Sequence, residues 1–176
     1  MVETADLTMA APLATDAIPL RRETADIRDL LRWALNVLRG QAAAFDVDLD
    51  VRVDDNVPAA VSVDPGKIAW AITSLVGNAL RYVRRGSKTM PGGSIAVHVS
   101  HELGQMVIAV QDDGPGIPSE RLQTLFGPSP QTATAALGLA MVKDVVEAHG
   151  GTLAIESDTR APSHGTTVRL TLPVAE

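Results

Sequence analysis

The 176-residue chain has no cysteine, which excludes disulfides, thiolate zinc sites, iron–sulfur clusters and cysteine nucleophiles together. Aromatic residues make up only 3%, so a core has to be built from Ala, Val, Leu and Ile. Positive charge is in deficit, with 15 Lys and Arg against 21 Asp and Glu. A general nucleic-acid binder carries a basic face, so no nucleic-acid partner is expected. No stretch approaches the roughly 18 apolar residues that cross a bilayer, and no membrane contact by this chain is expected. The opening MVETADLTMAAPLATDAIPL has Glu3 and Asp6 where a signal peptide is basic, and Pro12 and Pro19 interrupt any helix. It reads as a flexible lead-in over 1–22, ahead of a single domain over 23–176, with a cytoplasmic location expected. The 45% hydrophobic and 20% charged content is that of an ordinary globular fold.

Periodicity orders the elements. Residues 23–44 place Ile27, Leu30, Leu31, Ala34, Leu35 and Leu38 at helical spacing, with Gly40 as a point where the helix ends or bends. DVDLDVRVDD alternates as a half-buried strand, and 60–63 adds a short extended piece. Asp64-Pro65 starts a helix over about 66–84, because Asp caps free N–H groups and proline at N1 gives up none that was needed. SIAVHVS and QMVIAVQ, joined by HELG, form a hairpin. A short helical piece near 120–126, a helix over 137–149 ending at Gly150-Gly151, and the strands TLAIES and TTVRLTLP complete the chain. Helices interleaved with hairpins predict a two-layer α+β sandwich, its sheet covered on one face by helices.

Three segments carry candidate chemistry. In SLVGNALRY, Asn78 lies off the apolar stripe of its helix, with Ser74, Arg81 and Tyr82 three or four residues away. An amide oxygen suits Mg²⁺, a hard cation that shares phosphate ligands. Arg81 would pair with phosphate and Tyr82 would lie against a base. A polar helix edge facing water is the plain alternative. In VQDDGPGIP, Asp112 ends a strand just before Gly114 and Gly116. Its carboxylate can accept an exocyclic amine while the glycines let backbone approach a flat ligand. A solvated Gly-Pro turn is the alternative there. In ALGLAMVKDVVEAHGG, a loop enters a helix whose first turn holds Gly138, and a helix N-terminus suits phosphate. A packing glycine explains that segment equally.

In this order the segments resemble the N, G1 and G2 boxes of the GHKL ATPase superfamily, above all the catalytic ATP-binding domain of bacterial sensor histidine kinases. SLVGNALRY resembles NLxxNAxxY, DDGPGIP resembles DxGxGIP, and ALGLAMVKDVVEAHGG resembles GLGLAxVxxxxxxHGG. LF at 125–126 stands for the intervening Phe box, and GTTVRLTLP for the closing G-T-x-F-x-x-x-LP. The likeness covers about 24–174. It implies the Bergerat fold, a mixed and mostly antiparallel sheet, with ATP and Mg²⁺ as ligands. Asn78 would hold Mg²⁺ and Arg81 would touch phosphate. Tyr82 would pack beside the nucleotide, Asp112 would bind the adenine amine, and Gly114 and Gly116 would shape that wall. Leu137, Gly138 and Leu139 would lie near the phosphates where the lid enters its helix.

The chain departs from the pattern at three places. Ser74 replaces the first Asn of the N box and reaches less far. Thr134, Ala135 and Ala136 stand where GxGLGLA has its leading glycines, and Ala disfavours positive φ. The stretch from Pro118 to Leu137 is short and has no Lys or Arg after Arg121. SHEL at 100–103 mimics a phosphoacceptor motif, but Gly104 follows it and the helical continuation is missing. His98, His149 and His164 show no metal-ligand spacing. The resemblance therefore implies phosphoryl transfer to a histidine on a dimerisation domain outside this chain, with a response regulator downstream. The altered lid keeps a module binding nucleotide or protein without turnover as the alternative.

Overall fold

The computed structural model describes residues 18–124 and 133–174. In chain order its elements are β1 (Glu23–Ala25), α1 (Ile27–Ala44), β2 (Asp48–Val53), β3 (Val61–Val63), α2 (Pro65–Tyr82), β4 (Ser94–Glu102), β5 (Gln105–Asp112), α3 (Ser119–Thr124), α4 (Ala133–Ala148), β6 (Thr152–Asp158) and β7 (Gly165–Pro173). Five strands form one sheet in the order β2-β4-β5-β7-β6. Strand β2 runs parallel to β4, with Asp48 opposite Ser94, and the other three pairings are antiparallel.

Period-2 alternation decides which sheet face is covered. Ile95, Val97 and Val99 of β4, Met106, Ile108 and Val110 of β5, and Leu170 and Leu172 of β7 are all buried. Ala96, His98 and Ser100, which alternate with the first set, are only partly so. The helices α1, α2 and α4 lie side by side, α2 packing on β4 and β5 and α4 on β6 and β7. Helix α2 is therefore the central helix, and its apolar stripe of Ile68, Ile72, Leu75, Val76, Ala79 and Leu80, with Val83 just beyond, is buried. The architecture is the expected α+β sandwich.

Local differences have local causes. Residues 23–25 form a strand, because Glu23, Thr24 and Ala25 pair antiparallel with Val63, Ser62 and Val61. The helix starts after Asp26, whose side chain accepts from the N–H of Arg28 at 2.8 Å and of Asp29 at 3.4 Å. It then passes through Gly40 and ends at Ala44. Residues 18–22 dock on the body. Ile18 packs against the core, the Arg21 N–H donates to Asp64 Oδ2 at 2.8 Å, and the Arg22 guanidinium donates to the Ser62 carbonyl at 3.2 Å. The β4–β5 turn is only Leu103-Gly104, at φ of 51° and 74°, so His101 lies within β4 opposite Met106. Helix α4 begins at Ala133, four residues ahead of the predicted start. Alanines, the strongest helix formers, stand here in place of glycines. Residues 125–126, assigned above to the Phe box, lie outside the described residues.

Candidate functional site

The C-terminal half of α2 carries the first set of candidate groups. Ser74 and Asn78 are one turn apart and half-buried, while Arg81 and Tyr82 are exposed. Among the described residues, none of these four side chains has a hydrogen-bond partner within the protein. The neighbouring Thr73 contrasts with them, its hydroxyl donating to the Ala69 carbonyl at 2.8 Å. A row of polar groups left unpaired along one helix edge is available to a ligand. Just beyond the helix, Arg84 donates to the Pro91 carbonyl at 3.1 Å and Arg85 lies 3.9 Å above the Phe45 ring. Those two arginines are engaged in holding the loop and helix α1's end.

The glycine loop after β5 meets this same end of α2. A Cβ built on Gly114 would lie 2.9 Å from Asp112 Oδ1 and 3.3 Å from the carbonyl oxygen of Tyr82. The Asp112 and Tyr82 segments thus meet at a residue where a side chain would force a neighbour to shift. Behind them, a Cβ on Gly93 would meet the Asp113 carboxylate and stand 3.1 Å from Val83 Cβ. Gly116 has φ of 79° and lies against the Asp158 backbone, a conformation and an approach that both favour glycine.

Asp112 is held as a partly buried carboxylate. Gly114 N–H donates to its Oδ1 at 2.9 Å. Burial pushes its carboxyl above the ordinary value of 3.8, the N–H groups of Gly114 and Thr166 pull the other way, and neighbouring Asp113 adds to the rise. A desolvated carboxylate of this kind gains from a ligand that brings hydrogen-bond donors.

Positioning residues around the loop escaped the sequence reading. Asp113 accepts from the Ser94 N–H at 2.9 Å and is 3.2 Å from the Ser94 hydroxyl. Ile117 N–H donates to Ser157 Oγ at 2.7 Å. His164 Nδ1 donates to the Gly114 carbonyl at 2.6 Å. His149, read above as part of the helix end, is buried. Its Nδ1–H donates to Val145 at 2.7 Å and its Nε2 accepts from the Asp64 N–H at 3.0 Å. It ties the end of α4 to the cap of α2. Asp64 accepts from Lys67 N–H and Nζ, both at 3.1 Å. Burial alone would raise its carboxyl, but the hydrogen bonds from Arg21 and Lys67 outweigh it and lower the pKa to about 2.

On α4, Gly138 falls in the second turn rather than the first, since the helix begins at Ala133. Leu139 is buried in the core. Leu137 is on the same helix, with its side chain outside the described residues.

The donor set fits a purine nucleotide. It offers a carboxylate acceptor beside backbone without side chains, and amide and hydroxyl oxygens along the next wall. Among the described residues, no three His, Asp or Glu side chains gather into a metal cage. A cation here would complete its shell with phosphates and water, as Mg²⁺ does.

Residues 63–176 match the family described as histidine kinase-, DNA gyrase B- and HSP90-like ATPases. The sensor protein GacS of Pseudomonas syringae pv. syringae is 31% identical over 176 residues, covering 94% of this chain and 18% of that protein. The adaptive-response sensory kinase SasA of Synechococcus sp. (strain JA-2-3B'a(2-13)) is 33% identical over 144 residues, covering 78% of this chain and 34% of the relative. Full-length ShkA in complex with AMPPNP matches with a TM-score of 0.76 at 24% identity, covering 90% of this chain and 32% of ShkA, which shows the shared fold. The mycobacterial sensor histidine kinase MprB matches with a TM-score of 0.70 at 27% identity, over 88% of this chain and 98% of that one. The chain thus spans about a fifth to a third of the two curated relatives named. It belongs to the histidine kinase-, DNA gyrase B- and HSP90-like ATPase family, and it carries the ATP-binding catalytic domain of the sensor histidine kinase type.

Proposed function

We propose that this domain binds Mg·ATP and presents the γ-phosphate to a histidine on a separate dimerisation domain, from which a response regulator takes the phosphoryl group. The observation that supports the reading is the contact of the Asp112–Gly114 turn with the Tyr82 end of α2, which sets the carboxylate's loop beside the helix that carries the unpaired edge. Asp112 accepts from the exocyclic amine of adenine, and Gly114 and Gly116 leave room for the ring. Tyr82 packs beside the base. Asn78 offers its amide oxygen to Mg²⁺, with the Ser74 hydroxyl one turn behind, and Arg81 pairs with phosphate oxygens. Leu137, Gly138 and Leu139 border the phosphate end.

When bound, the ion neutralises charge on the phosphates. The chain's own work is orientation, since phosphoryl transfer depends chiefly on positioning and electrostatic stabilisation. The proposed location is the cytoplasm, where nucleoside triphosphate is supplied. No helix among the described residues is long and apolar enough to cross a membrane. The test incubates the chain with γ-labelled ATP and a separately produced acceptor helix domain. Acid-labile phosphate on the acceptor supports the proposal. An unlabelled acceptor, beside a working control kinase, refutes it.

A further inference from the structure

The adjoining ends of β6 and β7, with the turn between them, lie far in sequence from the glycine loop, yet several contacts join them to it. Gly116 lies against the Asp158 backbone, and a Cβ on Gly165 would collide with the Asp112 carbonyl. Ser157 Oγ takes the Ile117 N–H and is 2.8 Å from Thr166 Oγ1 and 3.0 Å from the Gly165 carbonyl. These contacts fix the two ends of the loop. Its middle is held by His164, whose Nδ1 is 2.6 Å from the Gly114 carbonyl across 50 residues of sequence. A carbonyl only accepts, so Nδ1 carries the proton in this bond.

Gly114 is therefore gripped at both its polar groups. Its carbonyl is held by His164, and its N–H is spent on Asp112 Oδ1 at 2.9 Å. Glycine has little torsional preference of its own beyond what Pro115 imposes, so an external tether helps to set the orientation of these peptide units. Loss of the carbonyl tether frees the peptide to rotate, and the bond to Asp112 loosens with it.

We propose that His164 is a positioning residue for base recognition: by holding the Gly114 carbonyl it keeps Asp112 aimed at the amino group of a purine. The inference rests on the nucleotide-binding reading above and adds to it a residue that touches no ligand. It predicts an effect on which base is chosen, because only a purine with an exocyclic amine uses the aimed carboxylate.

The experiment titrates ADP and IDP, which differ at purine position 6, into the full chain with Mg²⁺ by calorimetry. Wild type is expected to prefer ADP. His164→Ala is expected to bind ADP about 3- to 10-fold more weakly, the range of one hydrogen bond, and IDP almost as before, so the preference shrinks by that factor. His164→Asn, which keeps an N–H donor near the place of Nδ1, is expected to restore the preference. The ligand-free melting temperature is expected to hold in both variants, since His164 is in an exposed turn. Unchanged ADP affinity in His164→Ala, an equal loss for both nucleotides, or no rescue by Asn overturns the inference. A wild-type chain that binds neither diphosphate overturns the nucleotide reading as well, which separates the two failures.

Discussion

Replacing Asp112 by Asn separates what this side chain does for the fold from what it does for a ligand. The residue is isosteric and can still accept from the Gly114 N–H, now 2.9 Å from Oδ1. It cannot offer a charged acceptor to an exocyclic amine, and its own NH₂ would face that amine donor to donor. A hydrogen bond to a charged group contributes about 1.5–3 kcal/mol, so the affinity for ADP should fall about 10- to 150-fold. Stability should move the other way. The folded carboxyl is raised above its ordinary value, chiefly by burial. Its ionisation therefore disfavours the folded state as pH rises through the shifted value, and the stability it supplies is present only in acid. Asn does not titrate, so Asp112→Asn should be at least as stable as wild type at pH 7, and any advantage should vanish toward pH 3. Calorimetry for ADP and urea unfolding across pH read the two effects. Wild-type affinity in the variant, or a stability loss at pH 7 that does not depend on pH, would refute the reasoning.

Gly114→Ala puts a Cβ at 2.9 Å from Asp112 Oδ1 and 3.3 Å from the Tyr82 carbonyl; overpacking of this kind costs about 1–3 kcal/mol. Urea unfolding should show that loss together with weakened ADP binding, and wild-type values in both would contradict the close contact. His149→Leu leaves the Asp64 N–H unpaired and should cost about 1–3 kcal/mol at pH 8. Burial, the largest influence on His149, lowers its pKa below the usual 6.5, so the stability it provides is present above that value and is lost as pH falls through the lowered one. The gap between wild type and His149→Leu should therefore narrow between pH 8 and pH 5, and a constant gap would argue against a neutral buried imidazole.

What the sequence made legible was whatever depends on neighbours along the chain. Asp64-Pro65 marked a helix start because a cap needs only the N–H of Lys67, three residues on. Alternation in 94–112 marked a hairpin for the same reason. The Asp112 turn and the Asn78 helix edge were recognisable as patterns, although nothing in either says that Gly114 of the turn meets the Tyr82 carbonyl at the end of that helix. What stayed hidden was long-range pairing. Glu23–Ala25 read as helix because its partners, Val61–Val63, are remote in sequence. His149 meets Asp64 across 85 residues and His164 meets Gly114 across 50, and no spacing rule relates such pairs. The helical run of 137–149 marks most of α4, and the alanines at 133, 135 and 136 carry the helix four residues further back.

Leu103 offers a practical lever for anyone wishing to crystallise this domain with a nucleotide. It occupies a left-handed backbone position with φ of 51° and its side chain is 100% exposed. Asn before glycine is the favoured pair for such a hairpin bend. Leu103→Asn should therefore raise the melting point and improve solubility, the gain being on the order of 1 kcal/mol. At about 3.4 Å per residue the eight residues of β5 put Asp112 about 27 Å away. A toughened bend at one end of that strand should leave ligand affinity at the other untouched.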